Sequence, residues 1–326
     1  EATATDAAGN ATTATDNNGE IDTAAPTITL DAQTTGNDAT PTVSGSTDLP
    51  VGETVSITVT DSNGDEQTFT ATVQPDGSFS ADVPADLADG AYTVDATATD
   101  AAGNVTTATD NNGEIDTAAP TVTLDPQNTG NDATPTVSGT TDLPTGETIS
   151  ITVTDANGDA QTFTATVQPD GSFSADVPVD IAEGAYTVEA TATDAAGNTT
   201  STTDNGGVLN TAAPSLTLDP QSPDTDTTPT ISGSTDLPAG DTVSITVTDA
   251  NGDAQTFTAT VQPDGTFSAD VPTALAEGAY TVEATATDAA GNATTATDNN
   301  GEIDTAAPTI TLDAQTIGND ATPTVS

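Results

Sequence analysis

The chain has 326 residues, 51 of them Asp or Glu and none Lys, Arg or His, for a formal net charge of −51. Without cations to displace phosphate counterions or meet anionic headgroups, it is unsuited to nucleic acid and to acidic membrane surfaces, and no apolar run approaches the ~18 residues that cross a bilayer. The lack of Cys and Lys removes disulfides, thiolate metal sites and Lys–Asn isopeptide cross-links, so stability rests on packing, hydrogen bonds or bound ions.

Along the chain, the same segments return at one period. The proline of TAAP stands at Pro26, Pro120, Pro214 and Pro308, and the aspartate of ATDAAGN at Asp6, Asp100, Asp194 and Asp288, 94 residues apart each time. A fixed period of this size marks tandem units. The spacing predicts a partial repeat at 1–25 that holds the end of a unit. Three complete repeats follow at 26–119, 120–213 and 214–307, and a partial repeat at 308–326 holds the beginning of another. The chain therefore reads as a window of a longer array. One period suits one small domain with a single core.

Within 120–213 the predicted elements run in order as short strands. Thr121–Leu124 opens the unit, and Thr136–Thr141 follows a polar loop. Thr148–Asp155 alternates, with Ile149, Ile151 and Val153 on one face and Ser or Thr on the other. Ala160–Gln168, Ser172–Val177 and Ala185–Asp194 alternate likewise, through Phe163, Ala165 and Val167, then Phe173, Ala175 and Val177, then Tyr186, Val188, Ala190 and Ala192. Thr199–Thr203 closes the unit, with Leu143 and Ile181 expected to plug its two ends. Period-2 alternation marks half-buried antiparallel strands, β-branched Thr suits the outer face, and the turn residues Asn157-Gly158, Pro169-Asp170-Gly171 and Gly197-Asn198 separate the runs. The expected architecture is all-β: tandem seven-stranded immunoglobulin-like β-sandwich domains in a linear rod.

The ordered motifs GETISITVTDANGD, QPDGSFSADVP and AEGAYTVEATATDAAGN, repeated at the 94-residue period, resemble the bacterial Ig-like repeats of large repetitive surface proteins, including the extender regions of RTX-type adhesins exported by type I secretion. The match runs through all three repeats and both fragments. The resemblance implies an extracellular stalk on a bacterial cell surface, stiffened by calcium at domain junctions and holding an adhesive domain away from the cell. A self-associating filament or sheath built from the same repeats is the alternative, and lateral association between copies would discriminate the two.

The acids point the same way. Calcium takes six to eight hard oxygen ligands, and the linker TDNNGEIDTAAP supplies Asp110, Asn111, Asn112, Glu114 and Asp116 within a few residues. In a seven-strand sandwich the loop between the last two strands lies near the preceding linker. Asp194 and Asn198 of the DAAGN loop are therefore expected to face Glu114 and Asp116, and Asp100 and Asn104 to face Glu20 and Asp22. Asp298, Glu302 and Asp304 repeat the linker set after the third unit. Against this, each DAAGN aspartate could simply cap a tight turn, and the linker acids could be solvated charges. DANGD (Asp155, Asn157, Asp159) imitates half of a calcium loop, but Asn-Gly is a hairpin signal and the hairpin is preferred. The loop with Asp125 and Asp132 is a weaker cation candidate.

One linker differs. TDNGGVLNTAAP has Val208 in place of Glu and Asn210 in place of Asp, so this junction is expected to bind calcium weakly or not at all and to hinge. Catalysis is not expected: no His, Lys, Cys or Arg is present to act as base, nucleophile partner or anion clamp. The Thr-rich faces read as ordinary polar sandwich surface in preference to an ice- or glycan-binding array. The sequon asparagines Asn10, Asn104, Asn198 and Asn292 read as turn residues.

Overall fold

The computed structural model describes residues 1–17 and 19–312. The first of these form an antiparallel hairpin, Ala2–Thr5 with Ala11–Ala14, closed by the DAAGN turn. Three sandwiches follow, and no helix occurs among the described residues. The strands foreseen for 308–326 lie, from 313 onward, outside the described residues.

In the second unit the strands are β1 (Val122–Leu124), β2 (Thr129–Gly130), β3 (Thr136–Thr141), β4 (Thr148–Thr154), β5 (Ala160–Thr166), β6 (Ser172–Asp176), β7 (Gly184–Thr193) and β8 (Thr199–Leu209). One sheet has the order β1-β3-β6 and the other β2-β8-β7-β4-β5. The other two units repeat this order.

Alternation decides which residues meet between the sheets. Ile149, Ile151 and Val153 of β4, Val188, Ala190 and Ala192 of β7, Val137 and Phe173 form one buried cluster, which Leu143 and Ile181 complete. Burying each large apolar side chain contributes about 1.5–3 kcal/mol. On the outside, hydroxyls pair across strands, as in Thr152 with Thr162 at 3.0 Å and Thr191 with Ser201 at 2.7 Å.

Two departures from the expected strands matter for the site. The opening strand divides between the sheets, so eight segments replace seven: β2 leaves β1 and pairs in parallel with the end of β8, Thr129 opposite Val208 and Gly130 opposite Leu209. The last strand also runs well past Thr203. It crosses a bulge between Tyr186 and Val188 of its partner and ends by burying Leu209, so most of the presumed linker is strand. A glycine makes this possible: a Cβ at Gly207 would lie 2.4 Å from the Tyr186 Cζ, where the ring covers the strand.

The junctions between units

Because β8 continues so far, the residues expected to gather at a junction fall into two groups. Asp110, Asp204 and Asp298 cap the bulge inside their own units. Asp110 accepts the Gln33 N–H through Oδ2 at 3.1 Å and the Asn112 N–H through Oδ1 at 2.8 Å, and Asp298 accepts the Gln221 and Asn300 N–H groups at 3.1 and 2.7 Å. The Asn112 N–H is the chief cause that holds the Asp110 carboxyl below its ordinary range. Glu114 sits opposite Thr35 at the unit's own sheet edge and accepts its hydroxyl at 3.2 Å. Glu302 holds the same register position opposite Pro223. From the sequence, Asp110, Glu114, Asp298 and Glu302 are candidate calcium ligands of the linkers, and Glu114 is expected to face Asp194 and Asn198 of the next unit. Strand pairing instead sets Asp110, Glu114 and Asp298 against partners in their own units.

The linker proper is short and held at both ends. Thr117 donates its hydroxyl to Asp89 Oδ1 at 2.9 Å, and the Thr121 N–H donates to Asp142 Oδ1 of the following unit at 2.8 Å. The same pair of clamps recurs as Thr211 on Glu183 with Ser215 on Asp236. After the third unit, Thr305 donates to Glu277 and holds its carboxyl below the usual range. These anchoring acids were absent from the sequence-based site. Their signal was an acid at one fixed position of ADGAYT or AEGAYT and another in TDLP.

Between the clamps the DAAGN loop of the following unit meets the linker. Asp194 caps its own turn: Oδ1 accepts the Asn198 N–H at 2.9 Å and Oδ2 accepts the Asn198 amide at 2.9 Å, while Gly197 adopts φ +93°. The Asn198 amide is the leading reason that the Asp194 carboxyl lies below its ordinary pKa. The turn-capping role is thus real. The Asn198 amide also donates to the Asp116 carbonyl at 2.8 Å, which ties loop to linker. Asn104 does the same to the carbonyls of Asp22 and Ala24 at 3.2 and 3.3 Å, and Asn292 to that of Asn210 at 2.7 Å. Glu20 is exposed. Asp304 caps the Ala306 N–H at 3.0 Å after the third unit.

At the first junction Asp116, Asp142 and Asp194 line one cavity of about 320 Å³ together with Ala118, Pro120 and Leu143. Acidic residues of two successive units therefore line one crevice, and hard oxygen donors of this kind match calcium chemistry. Among the described residues, no three acidic side chains are drawn together closely enough to hold a metal ion as they stand. DANGD is a hairpin turn: Asp155 accepts the N–H groups of Asn157, Asp159 and Ala182. In the Asp125 loop that acid accepts the Ser138 hydroxyl at 2.5 Å, and Asp132 accepts the Thr134 N–H.

A family model described as bacterial Ig-like domain matches residues 26–117, 120–211 and 214–305. None of the curated proteins matches the chain. Among solved structures, a tetra-tandem repeat in the extending region of a large adhesion protein is 38% identical, over 86% of this chain and 74% of that one, with a TM-score of 0.30. A Ca2+-stabilized adhesin, described as helping an Antarctic bacterium reach out and bind ice, is 29% identical over 92% and 80% of the two chains, with a TM-score of 0.37. A structure described for host cell surface retention of a 1.5-MDa bacterial ice-binding adhesin is 23% identical over 86% and 99%, with a TM-score of 0.35. No helix among the described residues is long and apolar enough to cross a membrane.

Proposed function

Since the chain belongs to the bacterial Ig-like domain family, matched over three successive units, we propose that it is a structural extender segment of a large bacterial surface adhesin, exported by type I secretion. In this reading it is stiffened by calcium at its junctions and holds a distal binding domain away from the cell. The domains are taken as 26–119, 120–213 and 214–307. The observation that carries this reading is the junction itself: a linker clamped on both neighbours, with acidic residues of successive units lining one crevice.

Asp116 and Asp194, with Asp142 beside them, would hold the ion at the first junction, and Asp22 with Asp100 at the junction before it. A calcium ion held there would supply the positive charge that facing carboxylates lack, and their oxygens would be its ligands. The residues themselves do the rest. Asn198 positions the Asp194 loop against the linker, and the Thr117 and Thr121 anchors keep the chain between the units short.

Calorimetry and small-angle scattering of the full chain, in EGTA and in calcium, test the reading. Calcium at about 100 times Kd should add about 2.7 kcal/mol per site, raise Tm and lengthen the particle. Asp116→Asn combined with Asp194→Asn should remove the share of the first junction. Equal Tm and equal dimensions in both buffers would refute calcium stiffening. A concentration-dependent growth in mass would replace the stalk by a self-associating filament.

A further inference from the structure

The junction between the second and third units is built differently from the one before it. Its linker carries Asn210 where the others carry Asp22, Asp116 and Asp304, and Val208 where they carry Glu. A carboxamide is neutral and donates through its nitrogen, whereas a carboxylate only accepts. Asn210 uses both ends: its oxygen accepts the Ala212 N–H at 3.1 Å, as Asp116 does from Ala118, and its amide donates to Asp288 Oδ2 of the next unit at 3.0 Å. Its carbonyl receives the Asn292 amide at 2.7 Å. From the body of the second unit, Asn131 donates to Asn292 Oδ1 at 3.2 Å.

Burial agrees. The second alanine of the DAAGN loop is exposed at Ala102, half-buried at Ala196 and buried at Ala290, which is 7% exposed. The junction that has lost two acids thus covers its loop the most. At the first junction the residue matching Asn210 is Asp116, which has no hydrogen to give and carries the same charge as Asp194.

We propose that Asn210 makes this junction a metal-free latch, in which amide–carboxylate and amide–amide hydrogen bonds dock the second and third units without calcium. The hinge that the missing acids suggested is replaced by a fixed pair. Its contrast with the first junction rests on the calcium reading above, while the latch does not. When calcium is withdrawn, the array loosens unevenly: units two and three move together, and the joint at Asp116 gives way.

The absence of Cys permits spin labels to be placed cleanly in the full chain. Thr164→Cys with Thr258→Cys spans the latch, and Thr70→Cys with Thr164→Cys spans the first junction; all three positions are exposed. Pulsed electron–electron resonance should give a narrow 164–258 distance distribution both in EGTA and in calcium. The 70–164 distribution should be broad in EGTA and narrow in calcium. Asn210→Asp should broaden the 164–258 distribution in EGTA by about twofold, and Asp116→Asn should narrow the 70–164 one. A broad 164–258 distribution in EGTA, or one that Asn210→Asp leaves unchanged, overturns the latch. A 70–164 distribution already narrow in EGTA overturns the calcium reading and leaves the latch to the other pair.

Discussion

Asp194 shows how an aspartate is used in a chain without basic side chains. Its oxygens are met by backbone and amide N–H groups of its own loop, and hydrogen bonds to the charged form keep it ionised. The same economy governs the Tyr–Gln hydrogen bond of each unit. Tyr92 is 2% exposed and donates its hydroxyl to Gln33 Oε1 at 3.0 Å, with Gln33 itself 7% exposed. Removing the hydroxyl leaves a desolvated acceptor, so Tyr92→Phe should cost the first unit about 1–3 kcal/mol in urea denaturation. Tyr186→Phe should cost less, because its partner Gln127 is only half-buried and water can replace the bond. Equal losses would show that burial of the acceptor is not what sets the cost.

At the scale of elements, β8 connects core to junction. Its near half pairs regularly with β7, its bulge is capped by Asp204, and its end pairs with β7 on one side and β2 on the other before delivering the chain to the linker. The bulge depends on close passage beneath the Tyr186 ring. Gly207→Ala would place a methyl 2.4 Å from that ring and force the side chain or the strand to move. Such overpacking should destabilise the second unit by about 1–3 kcal/mol. Because linear arrays unfold roughly unit by unit, calorimetry should resolve an early transition for one third of the described units. A single unshifted transition would mean that the ring has room.

For the whole molecule, charge sets the response to pH. With no His, Cys or Lys, only the carboxylates, the terminal amine and the tyrosines titrate. Asp100, Asp194 and Asp288 are lowered below 3.8, chiefly by the amides of Asn104, Asn198 and Asn292. A depressed folded pKa contributes stability above the unfolded value, which is lost as pH falls through the folded one. Tyr92 is raised above 10.0 by burial first and then by Asp110, so its contribution is present below that pH and lost above it. Protonation also relieves self-repulsion, which opposes the acid loss. At 1 M salt the Debye length is only about 3 Å and repulsion is screened. In EGTA at 1 M salt, Tm should therefore be flat from about pH 6 to 9 and fall below about pH 4. A Tm that rises on acidification under those conditions would show that repulsion outweighs the capped turns.

Much of this protein is written locally. The 94-residue period and the inward alternation of Ile149, Ile151, Val153 and Val188 follow from consecutive residues, because a strand's two faces are set by its own order. The end of β8 was not legible: TDNGGVL is polar and glycine-rich, and only its pairing with β7 beyond the bulge and with β2 shows it to be strand. The junction divided in the same way. Crowded acids beside DAAGN pointed to the right place, but which of them meet depends on residues far apart in sequence, such as Asn198 on Asp116 and Asn131 on Asn292. Alternation builds each sandwich from within. Only the docking of one sandwich on the next decides whether an acid caps its own strand, faces its neighbour's charge, or finds an amide in its place.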